Sequence, residues 1–180
     1  MSGTGTHQLS ISINGRHENF DVEPRSTLAE LLREQAGLTG TKIGCEQGSC
    51  GACTILFDGE QVRSCLMFAV QAADSEVWTI EGLASPPPEN QTSPTPLAGL
   101  PELAEAFKRN HALQCGFCTP GMLIAGTLIG EACGGAINEE RVKEGLSGNI
   151  CRCTGYQGIV QSVVEVFELK TSNPAAEKPQ

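Results

Sequence analysis

The sequence is poor in aromatic side chains and in positive charge. Aromatic residues make up 4% and hydrophobic residues 39% of the 180 residues. Any core is therefore thin for the size of the chain, and small domains of this kind often need a metal or another cross-link. Lysine and arginine number 12 against 21 aspartates and glutamates, which gives a formal net charge of -9. Because phosphate backbones require a basic face, the composition argues against a nucleic-acid partner.

Several functional signatures are also missing. No apolar run approaches the roughly 20 residues of a membrane span, and residues 1–7 lack the basic and apolar regions of a secretory leader. We therefore expect a cytoplasmic protein. Neither a Gly-x-Gly-x-x-Gly motif nor a Walker sequence is present, so no nucleotide or flavin site is predicted. The three histidines are scattered, and no nucleophile–base set is legible, so no catalytic residue is predicted.

Cysteine, in contrast, is abundant. The chain has 9 cysteines, and in a reducing compartment such patterns are more often metal sites than disulfides. Residues 44–53 read Gly-Cys-Glu-Gln-Gly-Ser-Cys-Gly-Ala-Cys, which places three cysteines at the C-x4-C-x2-C spacing of plant-type ferredoxins. Cys65 is placed to supply the fourth ligand. We call these residues the first cysteine set: Cys45, Cys50, Cys53 and Cys65.

Two further runs hold a second group of cysteines. Residues 114–121 read Gln-Cys-Gly-Phe-Cys-Thr-Pro-Gly, and residues 149–156 read Asn-Ile-Cys-Arg-Cys-Thr-Gly-Tyr. A Cys-x-x-Cys pair combined with a Cys-x-Cys pair points to an iron–sulfur cluster more than to zinc. We call these residues the second cysteine set: Cys115, Cys118, Cys151 and Cys153. Two [2Fe–2S] clusters are thus predicted, with a structural zinc protein as the alternative. Cys133 is left over and is interpreted as a buried thiol near a helix end.

The surroundings of both cysteine sets carry predictions as well. Gly44, Gly48 and Gly51 are expected to supply positive φ angles, which let backbone N–H groups point at a cluster. Cys118 and Cys153 each precede a predicted helix start, and helix N-termini stabilise anions. The second cluster is therefore expected to be buried among converging helix N-termini, and the first to lie nearer the surface. Different surroundings imply two distinct reduction potentials.

The first half of the chain predicts a small mixed sheet. Alternating apolar residues and the hairpin signals Asn14-Gly15 and Asp58-Gly59 indicate strands. A capping box that begins at Thr27 indicates one helix crossing the sheet. A fifth strand is predicted over residues 77–80, with the chain leaving the sheet at Gly82.

The second half predicts helices, which makes the fold class α+β. Thr119, Asn138 and Thr154 are the predicted caps of three helices, and a further helix is predicted over residues 102–111. Four helices with short links indicate a small bundle. The predicted divisions are a flexible N-terminus over 1–7, a sheet domain over 8–83, a proline-rich linker over 84–101, a helical domain over 102–170 and a tail over 171–180.

With both cysteine sets in these runs, the chain resembles the small iron–sulfur subunit of the xanthine oxidase family of molybdenum hydroxylases over roughly residues 8–169. The resemblance implies a plant-ferredoxin-like β-grasp domain followed by a four-helix bundle. It implies a second cluster next to the molybdopterin of a large partner subunit, in the cytosine dinucleotide form, and a first cluster facing the FAD of a medium subunit. In such proteins the glutamine before the first bundle cysteine contacts the pterin, a role that Gln114 would take.

The implied function is electron transfer within a heterotrimer or a dimer of heterotrimers. The partner hydroxylates a carbon centre with water as oxygen source, and this chain would pass single electrons from molybdenum through the second and first clusters to FAD. The implied substrate is an N-heterocycle, a purine or an aldehyde, and the small subunit of carbon monoxide dehydrogenase is an alternative. The chain ends after the helical domain, so a separate subunit is expected rather than a fused enzyme.

A free-standing two-cluster ferredoxin is the alternative from another functional class. A subunit, unlike a ferredoxin, should expose an apolar patch around residues 114–117 when it is isolated.

Overall fold

The structure is a computed structural model that describes residues 5–84, 96–133 and 136–172. Its strands are β1 His7–Ile13, β2 Arg16–Val22, β3 Thr54–Phe57, β4 Glu60–Arg63 and β5 Glu76–Trp78. They form one sheet in the order β2-β1-β5-β3-β4. The neighbours β1 and β5 run parallel, and every other pair runs antiparallel. The predicted five-stranded mixed sheet is confirmed.

Both predicted hairpin turns are present. Asn14 and Gly15 have φ angles of 52° and 76°, and Asp58 and Gly59 have φ angles of 49° and 84°. Two consecutive left-handed residues are what a two-residue hairpin turn requires, because their twist matches that of the strands. The turns fix the register of β1 with β2 and of β3 with β4.

One helix packs on the sheet. It consists of α1 Leu28–Glu30 and a π-helical turn Leu31–Gln35. The predicted capping box is confirmed, since the Thr27 Oγ1 accepts from the Glu30 N–H and the Glu30 carboxylate accepts from the Thr27 N–H. The leucines of this helix share a buried core with the inner side chains of the sheet: Leu28, Leu31, Leu32, Leu9, Ile11, Ile13 and Ile55.

The fifth strand is shorter than predicted, and the prediction that the chain leaves the sheet at Gly82 is wrong. After β5 the chain turns into the short helix α2 Ile80–Ala84, which contains Gly82. The Asn14 side chain accepts from the Thr79 N–H at 2.8 Å and donates to the Thr79 Oγ1 at 3.1 Å. Because a side chain takes the N–H that a strand would use for pairing, β5 ends there.

The helical half contains four further helices. They are α3 Leu100–Arg109, α4 Thr119–Ala132, α5 Glu139–Gly145 and α6 Gln157–Ser172. Helix α6 contacts α3, α4 and α5, and α4 contacts α3 and α5. Their apolar faces share one core that includes Leu103, Phe107, Met122, Ile124, Val142, Ile159 and Val163.

Of the three predicted caps, one is confirmed and two are wrong. Asn138 caps α5 through its side chain. Thr119 is the first residue of α4, and Cys118 occupies the cap position without a side-chain cap hydrogen bond. Thr154 lies before the start of α6, where its hydroxyl accepts from the Tyr156 N–H at 3.2 Å within the loop. Both threonines stand beside cysteines in loops, and the loop path decides where the helix begins.

The two halves share part of their core. Leu56 of β3 and Trp78 of β5 are buried in the same apolar cluster as the helical residues. In the part of the chain that the structure describes, no helix is long and apolar enough to cross a membrane. Residues 85–95 of the predicted linker, 173–180 of the predicted tail and 1–4 of the predicted flexible N-terminus lie outside the described residues.

Candidate iron–sulfur centres

The first cysteine set lies where the sheet meets a long loop. Cys45 and Cys50 belong to the irregular segment that follows the first helix, Cys53 directly precedes β3, and Cys65 lies in the 3₁₀ turn after β4. The pairing of β3 with β4 brings the last two together, because the Ser64 N–H and hydroxyl both donate to the Cys53 carbonyl, at 3.2 and 2.8 Å. Cys53 and Cys65, 12 residues apart in sequence, thus become neighbours through the hairpin.

The thiols of the first set meet as two pairs. The Cys50 N–H donates to the Cys45 Sγ at 3.4 Å, and the two thiols also interact directly. The Cys65 thiol is within hydrogen-bond reach of the Cys53 thiol. Burial, and after it the neighbouring Cys53 thiol, together raise the pKa of Cys65 to about 11. Two thiols at such distances repel each other once ionised, so the arrangement suits a cation between them.

Backbone and hydroxyl donors favour the ionised form of one thiol in this set. The pKa of Cys45 is lowered to about 6 by hydrogen bonds from the Gln47 N–H and from the Ser49 side chain. Glu46 and Gly48 have positive φ angles. Backbone turns of this kind point N–H groups toward an anion in the concave side of the loop. Gly44 is not among the residues with positive φ, which corrects the sequence prediction. A Cβ at this glycine would lie 3.2 Å from both the Cys50 Sγ and the Phe117 ring, so a larger residue would require these side chains to shift slightly.

The second cysteine set lies in two loops at the ends of helices. Cys115 and Cys118 precede α4, and Cys151 and Cys153 lie in the loop before α6. The Sγ atoms of Cys115 and Cys153 are 3.5 Å apart, and the thiols of Cys118 and Cys151 are within hydrogen-bond reach. Each pair therefore joins one cysteine from the Cys-x-x-Cys motif to one from the Cys-x-Cys motif. The spacing of the cysteines in the sequence does not predict which of them pair across the two motifs.

Two loop side chains contact Cys151, one at its thiol and one at its N–H. The Thr154 hydroxyl donates to the Cys151 Sγ at 3.1 Å, and the Tyr156 hydroxyl accepts from the Cys151 N–H at 2.8 Å. Burial acts to raise the pKa of Cys151, but the Thr154 hydroxyl and the N–H groups of Cys153 and Thr154 outweigh it, so the pKa is lowered. Sequence reasoning missed both roles, since it assigned Thr154 to a helix cap. The position of both residues directly after the motif is the signal that could have found them.

Cys118 experiences the opposite environment. Burial, and after it the neighbouring Cys151 thiol, together raise its pKa to about 12. Cys118 is the cap residue of the 14-residue helix α4 and makes no side-chain cap hydrogen bond. The Thr119 N–H donates to the Gly116 carbonyl at 3.3 Å and Pro120 has no N–H, so what favours an anion here is the positive end of the helix dipole. The predicted helix N-terminus at this set is therefore present for α4. For Cys153 it is not, because α6 begins four residues later.

In this chain without partner subunits, the thiols of the second set are more exposed than those of the first set, which is the reverse of the sequence prediction. Cys115 and Cys153 are exposed, whereas Cys53 and Cys65 are buried. The second set lies in loops at the ends of helices, whereas two thiols of the first set are buried where the sheet meets its loop. The expectation that the second set is the more deeply buried one is wrong for these thiols.

An apolar rim surrounds the second set. Leu113, Phe117 and Ile150, which we call the apolar rim, are 38%, 45% and 51% exposed. Gln114 is exposed beside them. The expected apolar patch around residues 114–117 is confirmed. Leu66 and Phe68, next to the first set in sequence, are 59% and 50% exposed, so each set has exposed apolar side chains beside it.

Cys133 lies apart from both sets. It is the C-terminal cap of α4, with Cys118 at the opposite end, and a helix of 14 residues is about 20 Å long. It is half-buried rather than buried, which corrects the sequence interpretation. Its position near a helix end is confirmed.

The described residues contain no group of three or more histidine, cysteine, aspartate or glutamate side chains converging on a point that would hold one metal ion. A tetrahedral zinc site needs four ligands about 2.0–2.3 Å from a single centre. The thiols instead lie in pairs, two pairs to a set, and all nine cysteines are free thiols.

Comparison with known proteins assigns the chain to a family. Residues 11–83 match the family model of the 2Fe-2S iron-sulfur cluster binding domain, and residues 79–164 match that of the [2Fe-2S] binding domain. The nicotine 6-hydroxylase small subunit of Paenarthrobacter nicotinovorans is 48% identical over 158 residues, which cover 88% of each chain. The chain belongs to the small iron–sulfur subunits of the xanthine oxidase family of molybdenum hydroxylases.

Other members of this family extend the match. The caffeine dehydrogenase subunit gamma of Pseudomonas sp. (strain CBB1) is 43% identical and covers 89% of this chain and 91% of its own length. The crystal structure of quinoline 2-oxidoreductase from Pseudomonas putida 86 has a chain with a TM-score of 0.79 at 44% identity, covering 94% of this chain and 98% of that one. The aldehyde oxidoreductase of Desulfovibrio gigas matches with a TM-score of 0.76 at 34% identity, over 93% of this chain and 17% of the larger one.

Proposed function

We propose that this chain is the electron-transfer subunit of a molybdenum hydroxylase. It passes single electrons from a molybdopterin centre on a large partner subunit to FAD on a medium subunit. The observation that carries the proposal is the meeting of eight thiols as two sets of two pairs, in loops that are hydrogen-bonded to each other through the Ile150 N–H and the Cys50 carbonyl at 2.8 Å. Membership of the family supports it.

The residues fit two [2Fe–2S] clusters. Such a cluster has two irons held by four thiolates, and each cysteine set offers two close pairs of thiols. We assign the first cluster to the first cysteine set and the second cluster to the second set. Bound clusters supply one-electron redox chemistry. The protein supplies N–H and hydroxyl donors to the thiolates, and these donors stabilise negative charge.

We take the direction of transfer from the family that the chain resembles, and the exposure of the second set supports it. The second set has two exposed thiols, an apolar rim and the exposed Gln114 beside it. This face suits a large subunit that covers it and brings the molybdopterin, in the cytosine dinucleotide form, next to Gln114. The first set, beside Leu66 and Phe68, then faces the FAD subunit. No catalytic residue is assigned to this chain, since the hydroxylation takes place on the partner.

The assembly is a heterotrimer or a dimer of heterotrimers in the cytoplasm, a reducing compartment in which cysteine-rich patterns are more often metal sites than disulfides. Within the chain, residues 8–83 form a β-grasp domain and residues 102–170 a four-helix bundle, joined by the linker at 84–101. The parallel pairing of β1 with β5 and the mutual contacts of α3, α4, α5 and α6 support this division.

The substrate is an N-heterocycle, a purine or an aldehyde. Relatives named for nicotine, caffeine and xanthine support the first two classes, and aldehyde oxidoreductases support the third. A carbon monoxide dehydrogenase small subunit and a free-standing two-cluster ferredoxin remain the competing assignments.

Purification of the tagged chain from its own host tests the proposal. We expect two larger chains to copurify together with molybdenum and FAD, and two clusters of two irons in each copy of this chain. A lone chain that carries iron but no molybdenum would favour the ferredoxin. A colourless chain that holds zinc would contradict both cluster assignments.

A further inference from the structure

Buried polar contacts join the two cysteine-bearing loops. The Arg63 Nη2 donates to the Gly148 carbonyl at 2.8 Å and to the Asn149 Oδ1 at 3.2 Å, while its Nη1 donates to the Thr54 Oγ1 at 2.6 Å. The Asn149 Nδ2 donates to the Gly51 carbonyl at 3.2 Å. One arginine and one asparagine, 86 residues apart in sequence, therefore link the sheet half to the helical half. We call them the Arg63–Asn149 pair.

The position of this pair relates it to both cysteine sets. Arg63 stands two residues before Cys65, and Asn149 stands two residues before Cys151. Between them, the Ile150 N–H donates to the Cys50 carbonyl at 2.8 Å. A continuous path thus runs from the Cys50 side chain through its own carbonyl, across this hydrogen bond, and along one peptide unit to Cys151. The Arg63–Asn149 pair flanks that path.

The contact region around the Arg63–Asn149 pair is tightly packed and leaves little space for rearrangement. Asn149 and Thr54 are 2% and 1% exposed. Gly51 has a φ of 72°, and a Cβ there would lie 2.5 Å from the Gly148 carbonyl oxygen. A Cβ on Gly121 of α4 would meet the Gly51 carbonyl oxygen. Because the backbones touch, a polar atom that loses its partner here has no easy replacement in water.

We propose that the Arg63–Asn149 pair holds the two clusters at a fixed separation, and that electron exchange between the clusters depends on it. This inference rests on the proposed function, because it requires a cluster on each cysteine set. The pair acts through the loops it joins, so its members are positioning residues. Arginine suits the role because its rigid planar fork bonds several acceptors at once, which a lysine ammonium on a flexible stem does not reproduce.

The test compares Arg63→Ala and Arg63→Lys with the unmodified protein in the assembled complex. The matched control is Arg141→Ala, which also removes an arginine that donates to a backbone carbonyl, that of Ala136 at 3.2 Å, but within the helical half. Three quantities are measured: the iron content, the signal of each reduced cluster in electron paramagnetic resonance, and the splitting that arises from magnetic interaction between the two reduced clusters. The splitting reports separation, because dipolar coupling falls with the cube of distance.

We expect Arg63→Ala to keep both cluster signals and to lose the resolved splitting, with slower passage of electrons from the second cluster to the first in rapid-freeze experiments. Arg63→Lys should lose it in part, and Arg141→Ala should match the unmodified protein. Unchanged splitting and transfer rate in Arg63→Ala with full iron would overturn the proposal. If Arg63→Ala loses iron, the test rests on Arg63→Lys. A weaker splitting in that variant supports the proposal, and a splitting equal to that of the unmodified protein overturns it. An unmodified complex with one signal contradicts the proposed function instead.

Discussion

Thr154 shows how a single hydroxyl takes part in a metal-binding loop. It donates to the Cys151 Sγ at 3.1 Å and accepts from the Tyr156 N–H at 3.2 Å, so it stabilises both the thiolate and the turn. Hydrogen bonds to cluster sulfurs raise reduction potentials, because the reduced cluster carries more negative charge. A substitution at Thr154 should therefore change the reduction potential of the second cluster without removing one of its cysteine ligands.

The variant Thr154→Val should lower the midpoint potential of the second cluster. A hydrogen bond to a charged acceptor contributes about 1.5–3 kcal/mol, of which only part differs between the two redox states. With 59 mV for each tenfold change in a one-electron equilibrium, we expect a shift on the order of tens of millivolts. A redox titration followed by electron paramagnetic resonance measures it. Thr154→Ser keeps the donor and serves as the control; equal potentials in the two variants would exclude this role.

Replacement of Gln114 by alanine should leave both clusters intact and slow their reduction by substrate. Gln114 is exposed beside the second set, so truncation removes no internal packing. Loss of one hydrogen bond of roughly 1 kcal/mol to the pterin corresponds to about a fivefold slower step. Stopped-flow absorbance at the cluster bands measures the rate. Gln161→Ala, on the exposed side of α6, is the control, and identical rates in both variants would remove the pterin contact.

The variant Cys133→Ser should keep the full iron content. Cys133 caps the C-terminal end of α4, about 20 Å from Cys118 at the other end of the helix. Iron analysis and visible spectra should match those of the unmodified chain. Cys118→Ser is the informative comparison, since it should lose the second cluster. A loss of two irons in Cys133→Ser would make that cysteine a ligand.

At the scale of elements, α4 is placed by a glycine that approaches the first cysteine loop. Gly121 lies in the first turn of α4, and a Cβ there would meet the Gly51 carbonyl oxygen. The helix start that bears Cys118 thereby packs directly on the loop that bears Cys50 and Cys53. A contact between two backbone segments cannot move aside for an added methyl group as the end of a flexible side chain can.

The variant Gly121→Ala should destabilise the protein despite the better helix propensity of alanine. Overpacking costs about 1–3 kcal/mol, against a gain of up to about 1 kcal/mol in propensity. The control is Gly126→Ala in the same helix, where a Cβ would meet only the Val163 Cγ2 at 2.9 Å and the Leu103 Cδ2 at 3.2 Å. Denaturant unfolding should place Gly121→Ala below Gly126→Ala in free energy of unfolding. The reverse order would contradict the close approach.

Local signals predict most elements, and long-range contacts account for the differences. The hairpin turn at Asn14-Gly15 and the capping box at Thr27 are set by neighbouring residues, and both are confirmed. The predicted end of β5 was wrong because the actual end depends on the side chain of Asn14, which is 65 residues away in sequence. For the same reason, spacing identified the cysteines but contained no information on the Arg63–Asn149 pair.

At the scale of the whole molecule, the two cysteine sets belong to one connected structure. Leu56 and Trp78 of the sheet enter the helical core, and the Ile150–Cys50 hydrogen bond joins the cysteine loops. The exposed apolar rim and the exposed Leu66 and Phe68 lie beside different sets. The two cysteine sets thus belong to one packed structure, and each has exposed apolar side chains next to it in sequence.

Quantitative iron analysis with electron paramagnetic resonance of the fully reduced complex tests the central claim most directly. Two [2Fe–2S] clusters require four irons per copy of this chain, and their different surroundings require two distinguishable signals. The first lies in the loop before β3 and the turn after β4, with two of its thiols buried, and the second lies at the start of α4 beside the Thr154 hydroxyl. We predict four irons and two signals with different midpoint potentials. Two irons with a single signal would contradict the electron relay.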